Sequence, residues 1–119
     1  MLDKQYMENL QMAMKGNDHV KVITNTASNG DDYYIKPFEI SVIVINSGSY
    51  TQDLFLPSVA ESKGMLLTIN VPDFGGGGTI YDQNDSNATD WTDLTMNADS
   101  EYAILYNTGL GWITLKTDM

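Results

Sequence analysis

From position 19 onward the apolar residues of this chain fall in short alternating runs, each closed by glycine, proline, asparagine or serine, and few folds accept such a pattern. Alternation with a period of two sends one side of a strand into a core and the other to solvent, whereas a helix needs apolar residues three and four apart. Residues 19–24 alternate, with Val20 and Val22 on one face and Lys21 and Ile23 on the other. Residues 38–46 read as a mostly buried strand, with Phe38, Ile40, Val42 and Val44 on one side and Ile43 and Ile45 on the other, and are expected at the centre of a sheet. Further strands are expected at 50–56, 65–71, 79–82, 94–96, 101–106 and 112–115. Pro57 and Pro72 are taken to end the first two of these, since proline has no amide hydrogen to continue a ladder. Residues 58–63 read as a single helical turn, and the last two strands join as a hairpin across Asn107-Thr108-Gly109-Leu110-Gly111. The expected class is all-β, a single β-sandwich or jelly-roll-like domain over residues 18–119, with no repeat of solenoid period.

The first segment is patterned differently. Leu2, Tyr6, Leu10 and Met14 stand four apart with Met7 beside them, which would make one stripe of a helix apolar, and Gly16 supplies a stop. Residues 1–17 are therefore expected to form a short helical or extended arm. About four turns of helix are marginal alone, so the stripe must cover the body or meet a neighbouring subunit. Tyr6, Met7, Leu10 and Met14 are accordingly the interface candidates of this segment, methionine being an adaptable contact residue. Asp3, Lys4 and Glu8 stand where a signal peptide needs an apolar core, and no apolar run approaches a membrane span, so neither a leader nor a membrane partner is expected.

The chain offers little to do chemistry with. Six basic residues against sixteen acidic ones leave a net charge of -10, which repels nucleic-acid phosphates and argues against nucleic acid as a partner. With no cysteine there are no disulfides, no thiolate zinc site and no thiol nucleophile. His19 is the only histidine and no G-x-S-x-G motif accompanies it, so it receives no catalytic role. The run Gly75 to Gly78 lacks the following helix and the lysine of a phosphate loop, because Thr79-Ile80-Tyr81 reads as a strand; a flexible hairpin connection is expected there. Asp82, Asn84, Asp85, Asn87, Asp90 and Asp93 crowd hard oxygen donors into one loop, but without the glycine and terminal glutamate of an EF-hand, and no metal is assigned to them. Asn84-Asp85-Ser86 and Asn87-Ala88-Thr89 match the glycosylation acceptor pattern, which matters only in a secretory compartment. No catalytic residue and no cofactor is assigned, and the chain is read as a binding module with no enzymatic activity. Trp112, on a terminal strand, is expected in the core, and Trp91, in a polar loop, is the candidate for an exposed contact.

One ordered set of short motifs runs from position 50 to 115: Tyr50-Thr51, Leu56-Pro57, Ala60-Glu61-Ser62-Lys63-Gly64, Leu67-Thr68-Ile69-Asn70-Val71, a glycine-rich link, Leu94-Thr95, Tyr102-Ala103-Ile104-Leu105-Tyr106, Gly109 and Gly111-Trp112. This order resembles the small β-domains of tailed-bacteriophage virion proteins, among them capsid decoration proteins, head fibres and tail fibres. The resemblance covers about half the chain. It implies a virion structural protein on the capsid surface, binding the major capsid protein and itself as a homotrimer. The lack of an extended shaft favours a decoration, or cement, protein that stabilises the head. The alternative it implies is a head- or tail-fibre module that binds host glycan through Trp91, Tyr81 and the acidic loop.

Overall fold

The computed structural model describes residues 19–85 and 91–119, and all the regular structure within them is strand. The arm expected over residues 1–17, with Tyr6, Met7, Leu10 and Met14, lies outside the described residues, as do Asn87 and Asp90. Nine strands follow in order: β1 (Val20–Asn25), β2 (Tyr33–Tyr34), β3 (Ser41–Asn46), β4 (Leu54–Phe55), β5 (Leu66–Phe74), β6 (Gly78–Tyr81), β7 (Leu94–Met96), β8 (Glu101–Asn107) and β9 (Trp112–Thr117). They form a five-stranded sheet ordered β1-β3-β5-β8-β9 and a four-stranded sheet ordered β2-β4-β6-β7. The all-β expectation holds.

The path between the sheets departs from a jelly roll. A jelly roll pairs its strands antiparallel, but here β1 with β3, β3 with β5, β2 with β4 and β4 with β6 are all parallel. The first six strands alternate between the sheets, so the chain winds, and each turn of the winding lays one strand on each sheet. Parallel neighbours need a long crossover, and here the crossover from one strand to the next runs through the opposite sheet. Only after β6 does the chain turn back on itself, with β7 antiparallel to β6, β8 to β5 and β9 to β8.

The winding corrects the expectation that no solenoid-like repeat is present. Val20 lies beside Ser41 and Tyr33 beside Leu54, each pair 21 positions apart, so the first two turns are related by one constant offset. The third turn breaks the period: Ser41 lies beside Thr68, 27 positions on, because the link between β4 and β5 is longer than that between β2 and β3. Pro72 does not end its strand either. β5 continues to Phe74, and its pairing with β3 shifts register between Asn70 and Asp73, a bulge that accommodates the missing amide hydrogen. β3 is not the central strand; β5 holds that place, flanked by β3 and β8.

Burial follows the alternation. Val42 and Val44 of β3, Leu67, Ile69 and Val71 of β5, and Ala103 and Leu105 of β8 point from one sheet, and Leu54, Ile80 and Met96 point from the other. All belong to a single apolar cluster completed by Trp112. Complete burial of one aliphatic side chain is worth about 1.5–3 kcal/mol, and this shared cluster is what holds the two sheets together.

The glycine run is no flexible hairpin. It carries the chain from β5 to β6 directly against the preceding turn, with Gly75 N–H donating to the Asn46 carbonyl at 2.8 Å and Gly77 N–H to the Tyr50 carbonyl at 3.2 Å. A Cβ on Gly76 would fall 1.8 Å from the Tyr50 oxygen and one on Gly78 would fall 2.1 Å from the Gln52 oxygen, so only hydrogen fits at either place. The same end of the winding stacks two asparagines, Asn25 beside Asn46. Residues 59–64 form turns instead of the expected helical turn, and Gly64 leaves them with φ 77°.

Candidate functional site

The carboxylates that dominate the composition are mostly committed to the backbone. Asp53 accepts from Thr79 N–H at 2.9 Å, Asp85 from Val59 N–H at 2.7 Å and Asp99 from Phe74 N–H at 2.7 Å. Glu101 accepts from the N–H groups of Asn97 and Ala98 at 2.7 and 2.8 Å. These are charge-assisted bonds that fix loops onto strands. In the acidic loop Asp82 accepts from Asn84 N–H at 3.0 Å and Asp93 from the Trp91 indole at 2.7 Å. Among the described residues no three His, Asp or Glu side chains converge as metal ligands would. The His19 ring faces the Phe38 carbonyl at 3.0 Å, so its Nδ1 carries the proton there and the ring ties the start of β1 to the β2–β3 link.

Trp91 is not the freely exposed contact expected of it. It is half-buried against the apolar cluster, and its indole N–H is held by Asp93. Trp112 is fully buried, its Nε1 donating to the Pro57 carbonyl at 2.9 Å. Beside it Asn107, also fully buried, donates from Nδ2 to the Val59 carbonyl and the Ser62 hydroxyl and accepts from Gly109 N–H at Oδ1. Its backbone N–H donates to Met65 and its carbonyl accepts from Gly64. Two motifs far apart in sequence, the Leu56-Pro57 to Gly64 turn and the Gly109 to Trp112 hairpin, are thereby clasped together.

A second constellation escaped the reading of the sequence. The Tyr33 hydroxyl donates to the carboxylate of buried Glu39, with its two oxygens at 2.7 and 2.9 Å, and Glu39 also accepts from Lys36 N–H at 2.8 Å. Lys21 and Lys36 stand over the Tyr33 ring at 5.0 and 5.4 Å from its centre, within cation–π reach. Burial first, and then the hydrogen bond and negative charge of Glu39, hold the Tyr33 phenol well above its ordinary ionisation range. Nothing in the strand pattern announces this knot, because Tyr33 and Glu39 fall in a two-residue strand and a loop.

What remains open on the molecule are the outer faces of the two sheets. On the four-stranded sheet Tyr34, Phe55 and Tyr81 lie in register on β2, β4 and β6 and stack as a ladder, with ring centres 4.6 and 5.1 Å apart. Tyr34, at the sheet edge, is half exposed and ends the ladder with an uncovered ring. On the five-stranded sheet one row across the face reads Val20, Ser41, Thr68 and Ile104. The next reads Val22, Ile43, Asn70 and Tyr102. Neither row contains a carboxylate or an ammonium group, and a shallow depression of about 370 Å³ lined by Ile43, Asn70, Pro72 and Tyr102 opens on this face. Comparison of the chain with protein-family models, curated proteins and solved structures finds no match to any of them.

Proposed function

We propose that this chain is a virion structural protein of the capsid decoration, or cement, type. In this reading the two sheets form a rigid β-sandwich body that binds the major capsid protein, associates with itself as a homotrimer on the capsid surface, and stabilises the head by added buried area without performing chemistry. The observation that carries it is the clasp: Trp112 on Pro57, and Asn107 on Val59, Ser62 and Gly64, join the motifs in which the sequence resembles virion β-domains. A body locked in this way presents its faces without first ordering them, which lowers the entropic cost of docking. Mass spectrometry of purified virions tests the proposal. Copy numbers comparable to those of the capsid subunit support it, and absence from the particles rules it out.

A second reading, a fibre-type module that recognises host glycan, draws on the ring ladder. The uncovered Tyr34 ring gives a sugar a flat apolar platform, with Phe55 and Tyr81 supporting it from behind. The parallel winding also suits a shaft-like neighbour better than a jelly roll would. A glycan array run with and without calcium separates the two readings, since saturable binding lost in Tyr34→Ala belongs to the fibre module alone.

A further inference from the structure

We propose that the outer face of the five-stranded sheet is the surface on which a second copy of this chain docks, sheet against sheet. The inference rests on the reading that the chain assembles with copies of itself, and it names the surface used.

Charge selects the face. Each copy carries a net charge of -10, so two copies repel one another over most of their surfaces, and the repulsion is least where no carboxylate stands. The central rows of this sheet, running from Val20 to Ile104 and from Val22 to Tyr102, meet that condition. The other sheet presents its ring ladder, and the loops carry the acids.

Exposure and size agree with the assignment. Val22 is 50% and Leu66 is 52% exposed, and Ile43, Ile45 and Ile104 are half-buried beside them, so a contiguous apolar patch faces outward. Patches of this kind mark contact surfaces more often than plain solvated ones. Five strands about 4.8 Å apart, each contributing about six residues with a rise of about 3.3 Å, make a face of roughly 24 by 20 Å. Two such faces bury roughly 1,000 Å² together, the size at which a specific interface begins to hold. A copy of the chain is also the occupant whose patch matches in kind. A contact of like face on like face closes by two-fold rotation and uses the Ile43–Tyr102 depression of each copy to receive side chains of the other.

The test measures the mass of the full chain by light scattering over a dilution series, beside Leu66→Asp and Val22→Asp. Leu110→Asp serves as the control, because Leu110 is 77% exposed on the β8–β9 hairpin, off the sheet face. Wild type and Leu110→Asp should weigh at least twice 13.2 kDa at high concentration, while both face variants fall to 13.2 kDa with the circular dichroism of the wild type. Should Leu66→Asp alone fail to fold, Val22→Asp, on the edge strand, decides. An assembly that persists in the face variants overturns the surface while leaving self-association intact. A wild type that stays monomeric overturns both, and one that is also destabilised by Leu66→Asp has a segment of its own chain on the face.

Discussion

The winding formed by β1 to β6 and the closing segment formed by β7 to β9 are held by different means. In the winding, successive strands lie parallel and the turns stack backbone on backbone, as where Gly30 N–H meets the Thr51 carbonyl at 2.8 Å and Gln52 N–H meets that of Gly77 at 3.1 Å. Its first turn is thinly packed: Ile23 and Tyr33 are only partly buried, Val20 and Val22 are exposed, and β1 and β2 are both sheet edges. The closing segment brings the bulk, with Trp112 and Leu105 fully buried and Asn107 satisfied at every polar atom. The contrast teaches that a wound chain of this length is ordered by its last strands, which lock the core, while its first turn contributes edges more than packing.

The sharpest way to break that comparison is Trp112→Ala. It removes the largest buried side chain and leaves the Pro57 carbonyl without its indole donor, so the expected cost is about 3–5 kcal/mol, enough to unfold a domain of ordinary stability. Urea unfolding followed by circular dichroism checks it. A loss no greater than that from a change in the first turn would show that the closing segment does not govern stability.

Within the winding, the glycine run offers a comparison between neighbours. Gly76→Ala places a Cβ against the Tyr50 oxygen, backbone on backbone, and overpacking of this kind costs about 1–3 kcal/mol or more. Gly77→Ala, one position on, meets nothing within 4 Å and has no positive φ, so it should change stability by no more than about 0.5 kcal/mol. Thermal melts of the two variants decide the matter. Equal effects would mean that the turns are not stacked as closely as Gly76 and Tyr50 require.

Much of this architecture was legible because period-two alternation is a local signal. Residues 94–96 match β7, the runs at 19–24, 101–106 and 112–115 match β1, β8 and β9 to within two residues, and Trp112 is the expected core anchor. What alternation does not encode is which strand lies beside which, and the parallel winding was missed for that reason. The 21-position offset relating Asn25 to Asn46 and Tyr34 to Phe55 is present in the sequence, but two copies of a unit with different side chains do not stand out, and the third is displaced by the longer β4–β5 link. The glycine run was misread because glycine is used for freedom and for closeness alike, and only the neighbouring Tyr50 backbone distinguishes them here. Of the candidate site, Tyr81 was named for its aromatic ring; its partners Tyr34 and Phe55 depend on register and were not visible.

The Tyr33–Glu39 pair sharpens the comparison from the weaker side. Tyr33→Phe keeps the ring between Lys21 and Lys36 but removes the hydroxyl that satisfies Glu39, which retains only Lys36 N–H among the described residues. The expected loss is about 1–2 kcal/mol, smaller than that of Trp112→Ala. Its pH dependence follows from the raised ionisation of the phenol. Because the fold holds the proton above the ordinary value of 10.0, this contribution is complete below pH 10. It is lost as the pH climbs further, where an unfolded tyrosine ionises and the folded one does not. Chemical unfolding from pH 8 upward should therefore show wild-type stability falling more steeply above pH 10 than that of Tyr33→Phe, the other tyrosines being common to both. Parallel slopes would mean that Tyr33 ionises freely in the fold, and that the first turn is looser than its bond to Glu39 implies.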